Sequence, residues 1–125
     1  MRMFFNSDKA YNFLSRHLLI YTLRECRYRH KKNRYEVEIW RNGWFTGLRG
    51  TKVLVECLRD VKDIGTLRNI LERYVEYSGF TSVEEWLNEV ERLSGKVPLD
   101  LWLVVLTEKE PMTIERERER WYLDT

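Results

Sequence analysis

The chain has 125 residues, is 43% apolar and 14% aromatic, and carries a formal net charge of +2. This length and composition suit one compact domain, and no run approaches the roughly 18 apolar residues of a membrane span. The two cysteines, Cys26 and Cys57, lack zinc-site spacing, so we expect neither a metal nor a cofactor. Without a signal sequence we expect a soluble, cytoplasmic protein in which both are thiols, a single disulfide being the alternative.

The first half of the chain predicts one short helix followed by strands. Ser7 precedes apolar residues at helical spacing, which predicts a helix over 8–17. Alternating apolar and polar side chains and a high β-branched content predict the strands. Their ranges are 18–23, 35–40, 44–48 and 52–58. The Asn-Gly pair at 42–43 predicts a tight hairpin turn.

The second half predicts two helices and a last strand. Apolar residues recur at helical spacing over 67–75, and Gly79 closes that element. Thr and Ser at 81–82 cap a further helix over 83–93, with two glutamates placed for a capping box. The continuous apolar run 101–106 predicts a buried central strand.

Residues 111–125 form a separate charged segment at the C-terminus. Glu and Arg alternate over 115–120, which places like charges together on a helix but on opposite faces of a strand. We therefore predict a domain over 1–110 followed by a charged strand or arm. A homodimer contact through this arm is an option that the sequence leaves open.

Positive charge is concentrated in the N-terminal half. Residues 1–60 carry 13 Lys/Arg against 6 Asp/Glu, whereas 61–125 carry 9 against 14. A basic half attracts polyanions. Where Lys and Arg are most frequent in this half, aromatic residues lie between them in the sequence. Surfaces that bind single-stranded RNA combine residues in this way, with rings for stacking and cations for phosphate contacts. The residues are Arg24, Arg27, Tyr28, Arg29, His30, Lys31, Lys32 and Arg34.

Trp44 and Arg49 flank a glycine-containing turn and are predicted as another edge of the same groove. The competing interpretation is thermal adaptation, because the chain has no Gln and is 34% charged, as is typical of thermophile proteins with ion-pair networks. The chain would then be a protein-interaction domain, and Arg24 would pair with Glu38 or Glu56. Acidic residues are nearly absent near the basic segment, which favours nucleic-acid binding.

The order of elements, with a strand ending in Thr-Leu-Arg at 22–24 and Gly-Phe-Thr-Ser-Val-Glu-Glu-Trp at 79–86, resembles the ASCH domain family of the PUA-like superfamily. The resemblance covers roughly residues 4–107. It implies an α+β fold, a PUA-like β-barrel of about five to six mostly antiparallel strands with about two to three flanking helices. It also implies a role with RNA, and the composition fits a thermophilic archaeal source.

Some members of this family are hydrolases that act on RNA or on modified nucleosides. The family signature is Gly-x-Lys-x-x-Glu-x-Arg; aligned on Arg24, its lysine falls on Leu19 and its glutamate on Thr22. The Gly position holds His17, which a one-residue insertion would bring to the lysine site. Leu19 cannot act as a base, so we expect binding without catalysis. The alternative is a small hydrolase with the catalytic residues His17, Thr22, Arg24 and Glu56, Glu38 being the other choice for the acid.

Overall fold

Five strands and three α-helices form the part of the chain that the computed structural model describes, residues 1–25, 32–94 and 99–109. In chain order they are β1 (Arg2–Phe4), α1 (Asp8–His17), β2 (Leu19–Glu25), β3 (Arg34–Arg41), β4 (Trp44–Cys57), α2 (Ile64–Leu71), α3 (Val83–Ser94) and β5 (Leu99–Lys109). The predicted interface residues at 27–31 and the predicted arm at 111–125 lie outside the described residues.

The strands form one mixed sheet in the order β1-β3-β4-β5-β2, curled into a half-barrel. β1 and β3 are parallel, and the other three pairings are antiparallel. The expectation of a barrel-like α+β fold is therefore confirmed at this coarse level. The buried strand predicted at 101–106 is confirmed as β5, which lies between β4 and β2.

Helix α1 has the bounds that the sequence predicts. Ser7 is its N-cap, and the Ser7 hydroxyl accepts a hydrogen bond from the Ala10 N–H at 3.4 Å. Asp8 in the first turn and Arg16 in the last complement the helix dipole. Leu18 then adopts the left-handed conformation, with φ of 64°, and turns the chain into β2.

The hairpin between β3 and β4 is confirmed, but β4 is longer than predicted. The Asn-Gly pair at 42–43 has positive φ at both residues, 49° and 83°, as a two-residue type I′ turn requires. The strands predicted at 44–48 and 52–58 are one strand, because Gly50 continues it. A Cβ at Gly50 would lie 2.3 Å from the Val105 carbonyl oxygen, so glycine here allows β5 to approach.

Two elements differ from the prediction for tertiary reasons. The three-residue strand β1 has no sequence pattern of its own and is defined by its parallel pairing with β3. The helix predicted over 67–75 begins earlier, after the N-cap Asp63, and ends at Leu71. A 3₁₀ helix follows at Val75–Tyr77. Within the described ranges, no helix is long and apolar enough to cross a membrane.

Helix α3 carries the predicted cap. The Ser82 hydroxyl accepts a hydrogen bond from the Glu85 N–H at 3.1 Å, and the Glu85 carboxylate accepts one from the Thr81 hydroxyl at 2.7 Å. Glu85 also forms an ion pair with Lys9 of α1. This contact joins α3 to the start of α1, beside the pocket described below.

One face of the sheet, the inner face, is buried along all five strands. Its members are fixed by the register, since residues directly paired across neighbouring strands share a face. One end, the apolar end, consists of Met3, Ile20, Val37, Ile39, Val104 and Leu106. The other end, the charged end, consists of Arg24, Tyr35, Lys52, Asp100 and Trp102. Lys52 is the cross-strand partner of Val104 and belongs to the charged end through its ammonium, which lies over the Trp102 ring.

Candidate functional site

A pocket of about 540 Å³ lies between the β1–α1 connection, β2 and α3. Small-molecule sites in proteins typically measure about 300–1,000 Å³, so this pocket has the size of a ligand site. Its lining is mainly apolar with a few polar groups. The lining residues are Phe4, Phe5, Asn6, Ser7, Ala10, Thr22, Leu23, Arg24, Phe80, Trp86, Glu89, Val90 and Leu93.

The Arg24 guanidinium is fixed at the wall of this pocket. Its Nη1 donates to the Phe4 carbonyl oxygen at 2.5 Å, and its central carbon lies 4.4 Å from the centroid of the Phe5 ring. Burial lowers the pKa of Arg24 to about 10. Its Nε is buried and has no hydrogen-bond partner among the described residues. A bound acceptor would satisfy this donor.

The β1–α1 connection that supports Arg24 is itself anchored from β3. Nη1 of Arg41 donates to the Phe5 carbonyl at 3.1 Å and to the Ser7 carbonyl at 3.2 Å. The same guanidinium pairs with Asp8. These contacts hold the backbone that presents the Phe5 ring to Arg24, so the pocket wall is preformed.

The charged end contains two ionisable side chains that the sequence analysis did not select. Asp100 of β5 is the direct cross-strand partner of Arg24 and is 1% exposed. Lys52 of β4 is 8% exposed, and its ammonium lies 4.2 Å from the Trp102 ring centroid and 5.3 Å from that of Tyr35.

The charges at this end act on one another. Burial lowers the pKa of Lys52, the positive charge of Arg24 lowers it further, and the carboxylate of Asp100 opposes both effects. These effects place Lys52 close to the charges of Arg24 and Asp100 in a poorly solvated environment. A strand lysine is ordinarily exposed, and only the pairing of β4 with β3 and β5 shows that Lys52 points inward.

Two positions that align with the family signature line the pocket, although only Arg24 matches the signature residue. Thr22 and Arg24 are both on β2 and both line it, and Thr22 is buried. Leu19, at the signature's lysine position, is paired with Val105 on the opposite face of the sheet. An odd separation along a strand places side chains on opposite faces, which explains why position 19 does not join Arg24.

The basic segment joins two strands that flank the charged end. Arg24 lies near the end of β2, and Arg34 begins β3. Lys32 and Arg34 are exposed, and the Lys32 N–H donates to the Tyr35 hydroxyl at 3.1 Å. The remaining predicted interface residues lie outside the described part of the chain; they are Arg27, Tyr28, Arg29, His30 and Lys31.

Two predicted catalytic residues lie away from the pocket. His17 is exposed at the end of α1, with its ring 4.2 Å from that of Phe13. Glu56 accepts a hydrogen bond from the Tyr74 hydroxyl at 3.5 Å. Neither side chain lines the pocket with Thr22. No group of three or more His, Cys, Asp or Glu that could hold a metal occurs in residues 1–25, 32–94 and 99–109.

Trp44 and Arg49 also lie apart from Arg24. Trp44 is 78% exposed where β4 begins, and Arg49 pairs with Glu38 at 3.4 Å. Glu38 is the carboxylate that the sequence offered as a partner of Arg24, and its described ion pair is with Arg49 instead. The structure therefore does not bring these residues into the pocket.

Comparisons of this chain with protein-family models, with curated proteins and with solved structures gave no match. The resemblance to the ASCH domain family therefore stays a prediction from the sequence.

Proposed function

We propose that this protein binds RNA, with Arg24 and the basic segment over 27–34 as its contact surface. The observation that supports this most is the guanidinium of Arg24, which has a buried, unpartnered Nε among the described residues. Nη1 donates to the Phe4 carbonyl and Nε is enclosed, so an anion that binds the edge formed by Nε and Nη2 has to enter the wall of the pocket. This edge suits bidentate binding of a phosphate.

The position of Arg24 in the chain supports the same proposal. β2 leads directly from the pocket into the most basic part of a half that has 13 Lys/Arg against 6 Asp/Glu. Phosphate contacts by these cations would release counterions, and a neighbouring ring such as Tyr28 would stack on a base. The proposed fold is a PUA-like barrel of the ASCH type, for which a role with RNA is expected.

Fluorescence anisotropy tests this proposal with labelled single- and double-stranded RNA and DNA at two salt concentrations. Under the proposal, affinity falls steeply with salt and RNA is preferred. Replacing Arg27, Arg29, Lys31 and Lys32 together with Ala should flatten the salt dependence. The control replaces the same number of exposed cations elsewhere with Ala, namely Arg16, Lys62, Arg68 and Arg73.

The control separates a defined surface from general charge, because both variants change the net charge equally. If both flatten the salt dependence to the same degree, the basic segment is not the contact surface. No binding of any oligonucleotide at low salt would overturn RNA binding and favour a protein-interaction domain.

A hydrolase acting on RNA or on a modified nucleoside is the second candidate. Its support is the buried Thr22 hydroxyl, which shares the pocket with Arg24. The oligonucleotides from the binding experiment are examined for cleavage, with Thr22→Val as the variant. Product that appears with the wild-type protein and disappears with this variant would favour the hydrolase over the binding module.

A further inference from the structure

Among its described residues, the charged end has two cations and one carboxylate. Arg24 and Lys52 share it with Asp100, and in the described part of the chain the Lys52 ammonium contacts rings without a hydrogen bond or ion pair. Buried charges in proteins are ordinarily paired, since an isolated one is expensive to desolvate. Two cations in this position indicate a site for an anion.

Packing does not explain the lysine. The apolar end of the same face is filled by side chains such as Ile39 and Val104, both fully buried. A methionine at position 52 would occupy nearly the same space without a charge. A buried, perturbed ionisable group in such a setting is a functional candidate.

Both cations keep some contact with solvent. Lys52 does not line the pocket, but it is 8% exposed and therefore not completely enclosed. Arg24 lines the open pocket. The cations lie below the protein surface. A phosphate group at the end of an RNA strand therefore reaches them more readily than a phosphate in the middle of that RNA strand.

We propose that the charged end binds a phosphate monoester, presented by the terminus of an RNA strand, between Arg24 and Lys52. This inference rests on the proposed function. A monoester carries about −1.5 to −2 charges at neutral pH, so the net positive charge of this end attracts it more strongly than an internal phosphodiester, which carries one. An internal phosphate would also have to bring both flanking nucleosides below the surface.

The test compares one RNA oligonucleotide in three forms, with a 5′-phosphate, with a 3′-phosphate and with hydroxyl groups at both ends. We expect one phosphorylated form to bind at least about tenfold more tightly than the hydroxyl form. Lys52→Met should abolish this preference, and Lys62→Met, at an exposed lysine, should preserve it. The melting temperature of each variant shows that it is folded.

Thermal stabilisation of the wild-type protein by a nucleoside monophosphate, against the same nucleoside, is the second measurement. It requires no variant and separates the two proposals. RNA binding that is equal for all three forms would overturn the phosphate site and leave RNA binding intact. Stabilisation by the monophosphate without RNA binding would support the site with a free nucleotide as its source and overturn the proposed function. If the protein neither binds RNA nor is stabilised by the monophosphate, both proposals are overturned.

Discussion

The apolar and charged ends of the inner face lie on the same sheet, yet they are filled differently, and Arg24 and Tyr35 at the charged end are only partly buried. At the apolar end every side chain is aliphatic or Met and at most 7% exposed. At the charged end Lys52 is 8% exposed and Asp100 is 1% exposed. Aliphatic side chains are sufficient to fill a buried face of this sheet. The charges at the other end are therefore better explained by binding than by stability.

The largest expected effect is at the apolar end. Ile39→Ala should lower the free energy of unfolding by about 2–5 kcal/mol, because Ile39 is fully buried and its truncation leaves a cavity. Urea denaturation measures this. The control is Val105→Ala, at a position that is 38% exposed, which we expect to lose less than about 1 kcal/mol. Equal losses would show that the apolar end is not a tightly packed core.

At the charged end, removal of the carboxylate should be harmful and removal of the lysine should not. Asp100→Asn should lower the free energy of unfolding by about 3 kcal/mol, since it removes the carboxylate that favours the charged form of the buried Lys52 beside Arg24. Lys52→Met should be neutral or stabilising, and the double variant should recover part of the loss. Urea denaturation of the four proteins gives the coupling energy. A coupling near zero would mean that Asp100 and Lys52 do not interact.

The close approach of β4 and β5 gives a smaller effect. Gly50→Ala should lower the free energy of unfolding by about 1–3 kcal/mol, because the new Cβ would lie 2.3 Å from the backbone of Val105. Gly65→Ala is the control. Position 65 is in the first turn of α2, where the nearest atom would be 3.4 Å away, so Ala should raise stability by about 0.5–1 kcal/mol. A tolerated Gly50→Ala would contradict the described register.

Exposed carboxylates provide the smallest effect and a contrast to Asp100. Hydrogen bonds from Thr66 lower the pKa of Asp63 below 3.8, and hydrogen bonds from Lys9 and Thr81 lower the pKa of Glu85 below 4.5. A carboxylate whose pKa is lower in the folded than in the unfolded protein stabilises the folded state at pH values above its unfolded pKa. This stabilisation is lost as the pH falls through the pKa of the folded state.

We therefore expect a modest loss of thermal stability as pH falls through and below these values. Asp63→Asn and Glu85→Gln should each reduce this loss, as measured by melting temperature against pH. Glu91→Gln, at an exposed position of α3, serves as the matched control. An unchanged pH profile in both cap variants would show that these exposed groups contribute nothing measurable.

The elements that the sequence predicts correctly are those with strong local signals. Ser7 specifies the start of α1 through its hydroxyl, and Asn-Gly at 42–43 specifies the hairpin because both residues tolerate positive φ. Alternation predicts β3, and the continuous apolar run predicts β5. Arg24 and Thr22 were also selected from the sequence, and the structure places both at one pocket.

The tertiary structure alone decides what surrounds Arg24. Strand β1 exists through its pairing with β3, and β4 passes through Gly50 because β5 lies against it. Lys52 and Asp100 are far apart in the chain and meet Arg24 only through the register of three strands. A shift of one residue would turn each side chain to the other face, and no local pattern encodes that register. The sequence alone therefore determined the elements with strong local signals together with Thr22 and Arg24, and the strand pairing determined β1, the continuous β4 and the charged end.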